Sequence, residues 1–183
     1  HEAFEVRPGA FDALERLDET TYPFRRWIAD TGRSNDPFIP LADAAMAAAE
    51  TLDNDLVDYV KYHRSYAPRA VHLGLEQITV TDLQNTKRRP RAYDIAYFFV
   101  EAMFEHRGPL PELNALGLPN AWQEAFLLGY GRSDAKIVSM IRFAVITRMV
   151  EVYVAGMSKK RLTQRFMAKR DRMLEMLPAI LKS

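Results

Sequence analysis

A short period-two stretch inside a mostly helical pattern is the feature that most limits what this chain can fold into. Ala70-Val71-His72-Leu73 and Gln77-Ile78-Thr79-Val80-Thr81 are brief and β-branched, and the second run alternates. Both read as strands, and the pattern predicts no others. Elsewhere apolar residues recur at helical spacing. Phe11, Leu14 and Leu17 predict a short helix over 10–18, and Tyr22 to Ala29 another turn or two. Thr31–Pro40 is rich in turn formers and reads as a loop. The alanine run after Leu41, continued by Leu52, Leu56, Tyr59, Val60 and His63, predicts one long helix ending near Tyr66, ahead of Pro68.

Beyond the strands, Asn85–Pro90 reads as a basic turn. Arg91–Glu105 carries Tyr93, Tyr97, Val100 and Phe104 on one helical stripe. Pro109–Pro119 reads as a loop, and Ala121–Leu128 as a brief helix closed by Gly129. Ser133 or Asp134 can cap a long apolar helix to about Ala155, which Gly156 breaks. A last helix, basic on its outer face, starts at Ser158, with Leu162, Phe166, Met173 and Leu177 inside. The expected fold is mainly α with one small β-hairpin. The aromatic sets Tyr93/Tyr97/Phe98/Phe99 and Trp122/Phe126/Tyr130 are expected to pack together.

Composition excludes several function classes. The 183 residues suffice for one domain or one lobe. With 25 Lys+Arg against 24 Asp+Glu, overall charge gives no argument for nucleic acid. The absence of cysteine removes disulfides, thiolate metal sites and cysteine nucleophiles. His63, His72 and His106 do not fall at metal-ligand spacing, so no zinc is expected. Neither G-x-S-x-G nor G-x-G-x-x-G occurs, against hydrolase and dinucleotide readings. No apolar run approaches the ~20 residues that span a bilayer, and no signal-peptide pattern is present, so a cytoplasmic chain is expected. The start at His1 rather than methionine suggests a tag remnant or a truncated chain, the latter with further sequence upstream. Lys159, Lys160, Arg161, Arg165, Lys169, Arg170 and Arg172 form a basic run of the kind that touches anionic lipid. Asp171 and Glu175 dilute it, so a solvated helix face is expected and no membrane contact.

Chemistry concentrates between Ala70 and Phe99, where a strand-borne His72, then Thr81-Asp82-Leu83, then Arg91-Ala92-Tyr93-Asp94-Ile95-Ala96 occur in order. The segment resembles the active-site region of the aminoglycoside phosphotransferase/choline kinase-like family. That family shows H-G-D-x-H-x-x-N, then I-D-F with a metal-binding aspartate, then G-P-R-x-Y-D-L-A opening a helix. Val80-Thr81-Asp82-Leu83 resembles the second motif. Arg89-Pro90-Arg91-Ala92-Tyr93-Asp94-Ile95-Ala96 resembles the third closely. Trp122–Gly131 resembles a late aromatic motif ending in F-L-x-G-Y. The resemblance spans roughly 41–155. It implies a helical C-terminal kinase-like lobe over 41–183, preceded by short helices and a loop over 1–40.

The resemblance also implies residue roles and exposes departures. His72 would hold the first position of the catalytic loop, but Gly74 stands where its aspartate belongs. The metal-ligand asparagine is missing; Gln77 is the nearest amide, and it arrives early. Asp82 would remain as the Mg²⁺ ligand beside ATP, base assistance would need Glu76 or another carboxylate, and Asp94 would brace the loop. Read without the family, Asp82 caps a turn, and Asp94 is a first-turn carboxylate favoured by the helix dipole. His72 is expected to be buried and hydrogen-bonded on either reading. Lys87, Arg88, Arg89 and Arg91 could bind a phosphate or anionic ligand, or form a solvated turn. Three functions stay open: a degenerate phosphotransferase lobe, an active ATP-dependent small-molecule kinase whose nucleotide-binding lobe lies outside this chain, and an unrelated helical protein-binding domain. A helical lobe on its own would also expose an apolar face suited to a homodimer or partner protein.

Overall fold

The computed structural model describes residues 6–52, 55–61, 67–75, 77–81, 88–130 and 135–182. Six helices and five strands lie among them, in the order β1 Arg7–Phe11, α1 Ala13–Thr31, α2 Ile39–Glu50, β2 Asp55–Lys61, β3 Val71–Leu73, β4 Ile78–Val80, β5 Arg88–Pro90, α3 Ala92–Glu105, α4 Asn120–Tyr130, α5 Ala135–Met157 and α6 Gln164–Ile180. The fold is mainly helical with small antiparallel sheets. No helix among the described residues is long and apolar enough to cross a membrane.

The two short helices expected near the N-terminus are one. Asp12 caps α1, its Oδ1 accepting from the Glu15 amide at 2.7 Å, and Gly32 ends it in the left-handed region at φ 66°. Pro23 lies inside this helix. A mid-helix proline costs about 3 kcal/mol, but the buried stripe Leu17, Thr20, Thr21, Phe24 runs straight across it. Burial of that continuous face outweighs the local penalty.

The long helix expected over 41–66 is the largest correction. It ends at Glu50, and Asp55–Lys61 is the central strand of a sheet ordered β1-β2-β5. Arg7 opposes Tyr59 on one side of β2 and Pro90 opposes Tyr59 on the other. Leu56, assigned to the helical stripe, is 68% exposed, while Val60 is buried. The spacing 52, 56, 60 therefore matched a helix by coincidence; β-branched Val57 and Val60 and aromatic Tyr59 suit a strand, and pairing on both sides decides it. Pro8 and Pro90 both stand on edge strands, where a missing N–H costs no ladder bond. The basic turn expected over 85–90 is, in its described part, strand β5. The predicted hairpin does form: Val71 opposes Val80, His72 opposes Thr79 and Leu73 opposes Ile78. It is not the only β element, as the sequence reading had it.

Helix α5 runs through the middle of the body and touches α1, α2, α3 and α6. Its residues Ile141, Phe143, Val145, Met149 and Tyr153 face different ways and are all buried, as expected of a helix apolar on every side. Phe11, Leu17 and Phe24 join the same buried cluster as α3, α5 and α6. Phe98 and Phe99 meet Phe126 as predicted, at 6.0 and 5.0 Å between ring centres. Tyr93 instead turns to Phe11 at 6.3 Å.

Both expected glycine breaks are absent. Helix α4 continues through Gly129, and α5 continues through Gly156 to Met157. A Cβ on Gly156 would fall 1.9 Å from the Phe166 ring. Gly156 thus lets α6 close onto α5 and does not end the helix. Helix α6 starts six residues later than predicted, at Gln164, where Thr163 Oγ1 accepts from the Phe166 amide at 3.2 Å.

Candidate functional site

The start of α3 carries the motif that resembles the kinase-like family, and it is buried. Arg91 donates its backbone N–H to the Asp58 carbonyl at 3.1 Å, and its guanidinium meets the Asp58 carboxylate at 3.2 Å. This double tie fastens strand β2 to α3 and holds the guanidinium in the protein. Asp94 is buried in the first turn of α3, where the helix dipole favours a carboxylate. Tyr93 packs against Phe11 and beneath the Arg16 guanidinium; burial pushes its phenol up, with Arg16 pulling the other way.

A pocket of about 220 Å³ opens beside Arg91. Leu56 and Asp58 of β2 line one side, Pro90 and Arg91 the next, and Lys136 and Met140 of α5 the third. Lys136 pairs with Asp55 at 3.4 Å. Apolar walls with two cations, Arg91 and Lys136, and one carboxylate, Asp58, in the lining can hold a small molecule bearing an anionic group. Of the four predicted anion-binding residues, Arg91 lines this pocket, while Arg88 and Arg89 are half-buried in β5, with Arg89 opposite Val60. Lys87 lies outside the described residues.

The hairpin is elsewhere. His72 is exposed, not buried as expected, with Nε2 3.3 Å from Thr81 Oγ1. A two-stranded hairpin has no second layer to cover its side chains, which is why the burial fails. Gly74 and Gln77 form the turn, the Gly74 N–H donating to the Gln77 carbonyl at 2.8 Å. The Gln77 side chain is exposed there. Arg69, at the hairpin's base, pairs with Glu105 at 3.0 Å and Glu101 at 3.3 Å. That anchors the hairpin to the second half of α3. Seven residues separate Asp94 from Glu101, a rise of about 10 Å. The structure therefore does not bring His72 and Gln77 together with Arg91 and Asp94. Asp82, the implied Mg²⁺ ligand, and Glu76 lie outside the described residues. Among those described, no three His, Asp or Glu side chains stand close enough to hold a metal ion.

A second charged centre escaped the sequence reading. Glu101 of α3 has only 2% of its side chain exposed and meets Lys169 at 2.9 Å, Arg69 at 3.3 Å and Arg148 at 3.4 Å. Arg148 also reaches Glu151 at 3.4 Å and lies 4.1 Å over the Tyr97 ring. Burial pushes the Glu101 carboxyl up, but Lys169, then Arg148 and Arg69, outweigh it and hold the group below its ordinary value. Glu101 with its three cations ties α3, α5 and α6 together. The available signal was a glutamate among Tyr97, Val100 and Phe104 on an apolar stripe. Its partners, at 69, 148 and 169, are too distant in sequence to be found by spacing.

No protein-family model, curated protein or solved structure matches this chain.

Proposed function

We propose that this chain is a degenerate phosphotransferase-like lobe that binds a small anionic ligand, most simply a phosphorylated alcohol, and does not transfer its phosphoryl group. The observation that carries the reading is Arg91. It belongs to the Pro90-Arg91-Ala92-Tyr93-Asp94-Ile95-Ala96 motif on which the resemblance rests, and it lines the pocket between β2, α3 and α5. Its guanidinium meets the Asp58 carboxylate at 3.2 Å, which fixes the side chain at the pocket wall, and a guanidinium matches the geometry of a phosphate group. The volume, about 220 Å³, is below the roughly 300–1,000 Å³ of pockets that enclose drug-sized ligands, and suits a phosphorylated fragment better than a whole nucleotide. Gly74 in place of the loop aspartate supports loss of transfer.

Calorimetric titration tests this with glycerol 3-phosphate and, separately, Mg·ATP. The expected result is millimolar or tighter binding of the phosphate ester, lost in Arg91→Met, and no ADP formed from ATP. Metal-dependent ADP formation would overturn the degenerate reading, and absence of any phosphate-ester heat from the folded protein would overturn the binding one.

A specific observation favours a second reading, a protein-binding domain. Leu73, Leu75 and Ile78 are all exposed on the β3–β4 hairpin, an apolar tip that a homodimer or partner protein would cover. A single sedimenting monomer at tens of micromolar would remove the homodimer from that reading.

A further inference from the structure

The connection between α5 and α6, together with the first two residues of α6, is exposed from Ser158 to Arg165. It carries Lys159, Lys160, Arg161 and Arg165, and no acidic residue occurs between Glu151 and Asp171. The structure separates these cations from the rest of the basic run. Lys169 turns inward to Glu101, Arg170 meets Asp171 at 3.8 Å and Arg172 meets Glu175 at 2.6 Å. The two acidic residues that dilute the run in the sequence are thus spent on Arg170 and Arg172. Among the described residues no carboxylate comes within 4 Å of Lys159, Lys160, Arg161 or Arg165. In a chain of net charge +1, these four side chains carry a local charge of +4 that no described carboxylate pairs with.

The connection is also held in shape. Ser158 Oγ donates to the Val154 carbonyl at 2.7 Å, the Lys159 amide to the Gly156 carbonyl at 3.3 Å, and Thr163 caps α6. Leu162, 41% exposed, stands among the four cations. Trp27 packs on Tyr153 and Tyr153 on Phe166, which brings the C-terminal end of α1 to the same end of the body. Exposed Arg33, stacked over Trp27 at 5.1 Å, adds a fifth cation there.

We infer that this end of the molecule docks reversibly on an anionic lipid surface. The four cations meet the headgroup charge, and Leu162 enters the headgroup layer. All four cations are exposed within seven residues of chain, which suits an extended anionic plane better than an enclosed ligand. Leu162 favours lipid over nucleic acid, because a phosphodiester backbone offers an exposed leucine no apolar contact. Each cation near such a surface strengthens binding about 5-fold at low salt. With one apolar side chain and no acyl anchor, attachment is weak and salt-sensitive.

Co-sedimentation with phosphatidylcholine vesicles containing about one-third phosphatidylserine tests the inference. The chain is expected to sediment with these vesicles at low salt and not with pure phosphatidylcholine. It should be released in roughly 0.5 M salt. The fourfold variant Lys159→Gln, Lys160→Gln, Arg161→Gln, Arg165→Gln should bind several-hundred-fold more weakly, with its helical circular dichroism unchanged. Leu162→Ser should weaken binding about 3-fold. Equal sedimentation with neutral vesicles, or full binding by the fourfold variant, overturns the site. An unchanged Leu162→Ser variant, or tighter binding to duplex DNA at equal phosphate concentration, overturns lipid as the partner.

Discussion

Replacing Glu101 with glutamine removes the one negative charge that Lys169, Arg69 and Arg148 share. Removing one partner of a buried ion pair typically costs about 3–5 kcal/mol. The partners place this case at or below the lower end. Arg69 is 48% exposed and keeps Glu105, and Arg148 keeps Glu151. Lys169 has no second carboxylate among the described residues, but its Nζ lies 4.7 Å over the Phe104 ring, and glutamine retains an acceptor oxygen for it. We therefore expect a loss of about 2–3 kcal/mol at pH 7, a fall in Tm of roughly 5–10 °C for a chain of this size. The pH dependence follows from the sign of the shift. Burial acts upward on the Glu101 carboxyl, but the cations hold it below its ordinary value in the folded protein. Its contribution is then present above the unfolded value of about 4.3 and fades as pH falls through the lower folded value. Glutamine has no such dependence. The gap between wild type and Glu101→Gln should be full at pH 7 and shrink steadily below about pH 4. Urea unfolding followed by tryptophan fluorescence at several pH values measures it. Equal stability at pH 7, or a gap that persists unchanged in acid, refutes the reasoning.

Three further substitutions probe the frame around both sites. Gly156→Ala gains about 1 kcal/mol in helix propensity but drives a methyl into the Phe166 ring. A net loss of about 2 kcal/mol is expected by denaturation, and Phe166→Leu in the same chain should recover part of it. Thr163→Ala removes the α6 cap and should cost about 1 kcal/mol, with faster hydrogen exchange at the Phe166 amide. Tyr153→Phe leaves the buried Asp36 carboxylate without the hydroxyl that donates to it at 2.6 Å. The expected loss of about 1–3 kcal/mol is measurable by the same unfolding assay.

Much of the helical frame was legible, because long stripes such as Tyr93–Phe104 and Ile137–Val152 bury one consistent set of residues. The hairpin was legible too, since its β-branched runs match no helical spacing. Strand β2 was not. Leu52, Leu56 and Val60 repeat every four residues, and only pairing with Arg7–Phe11 and Arg88–Pro90, far away in sequence, decides the conformation. The glycines misled for a related reason: Gly156 marks an approach between helices that no local pattern encodes. At the site, the motif identified Arg91 and Asp94 as residues of interest, but its pocket depends on Asp58 and Lys136, which belong to no motif. The Glu101 centre was illegible because its partners come from three separate elements.

The central claim is that a small anion binds beside Arg91 and not at the hairpin. Amide chemical shifts recorded while glycerol 3-phosphate is added test it most directly. The account predicts saturable shifts at Asp58, Arg91, Ala92 and Ile137, absent in Arg91→Met, with Leu73, Gly74 and Ile78 unmoved. Shifts confined to the β3–β4 hairpin, or none at any concentration in the folded protein, would contradict it.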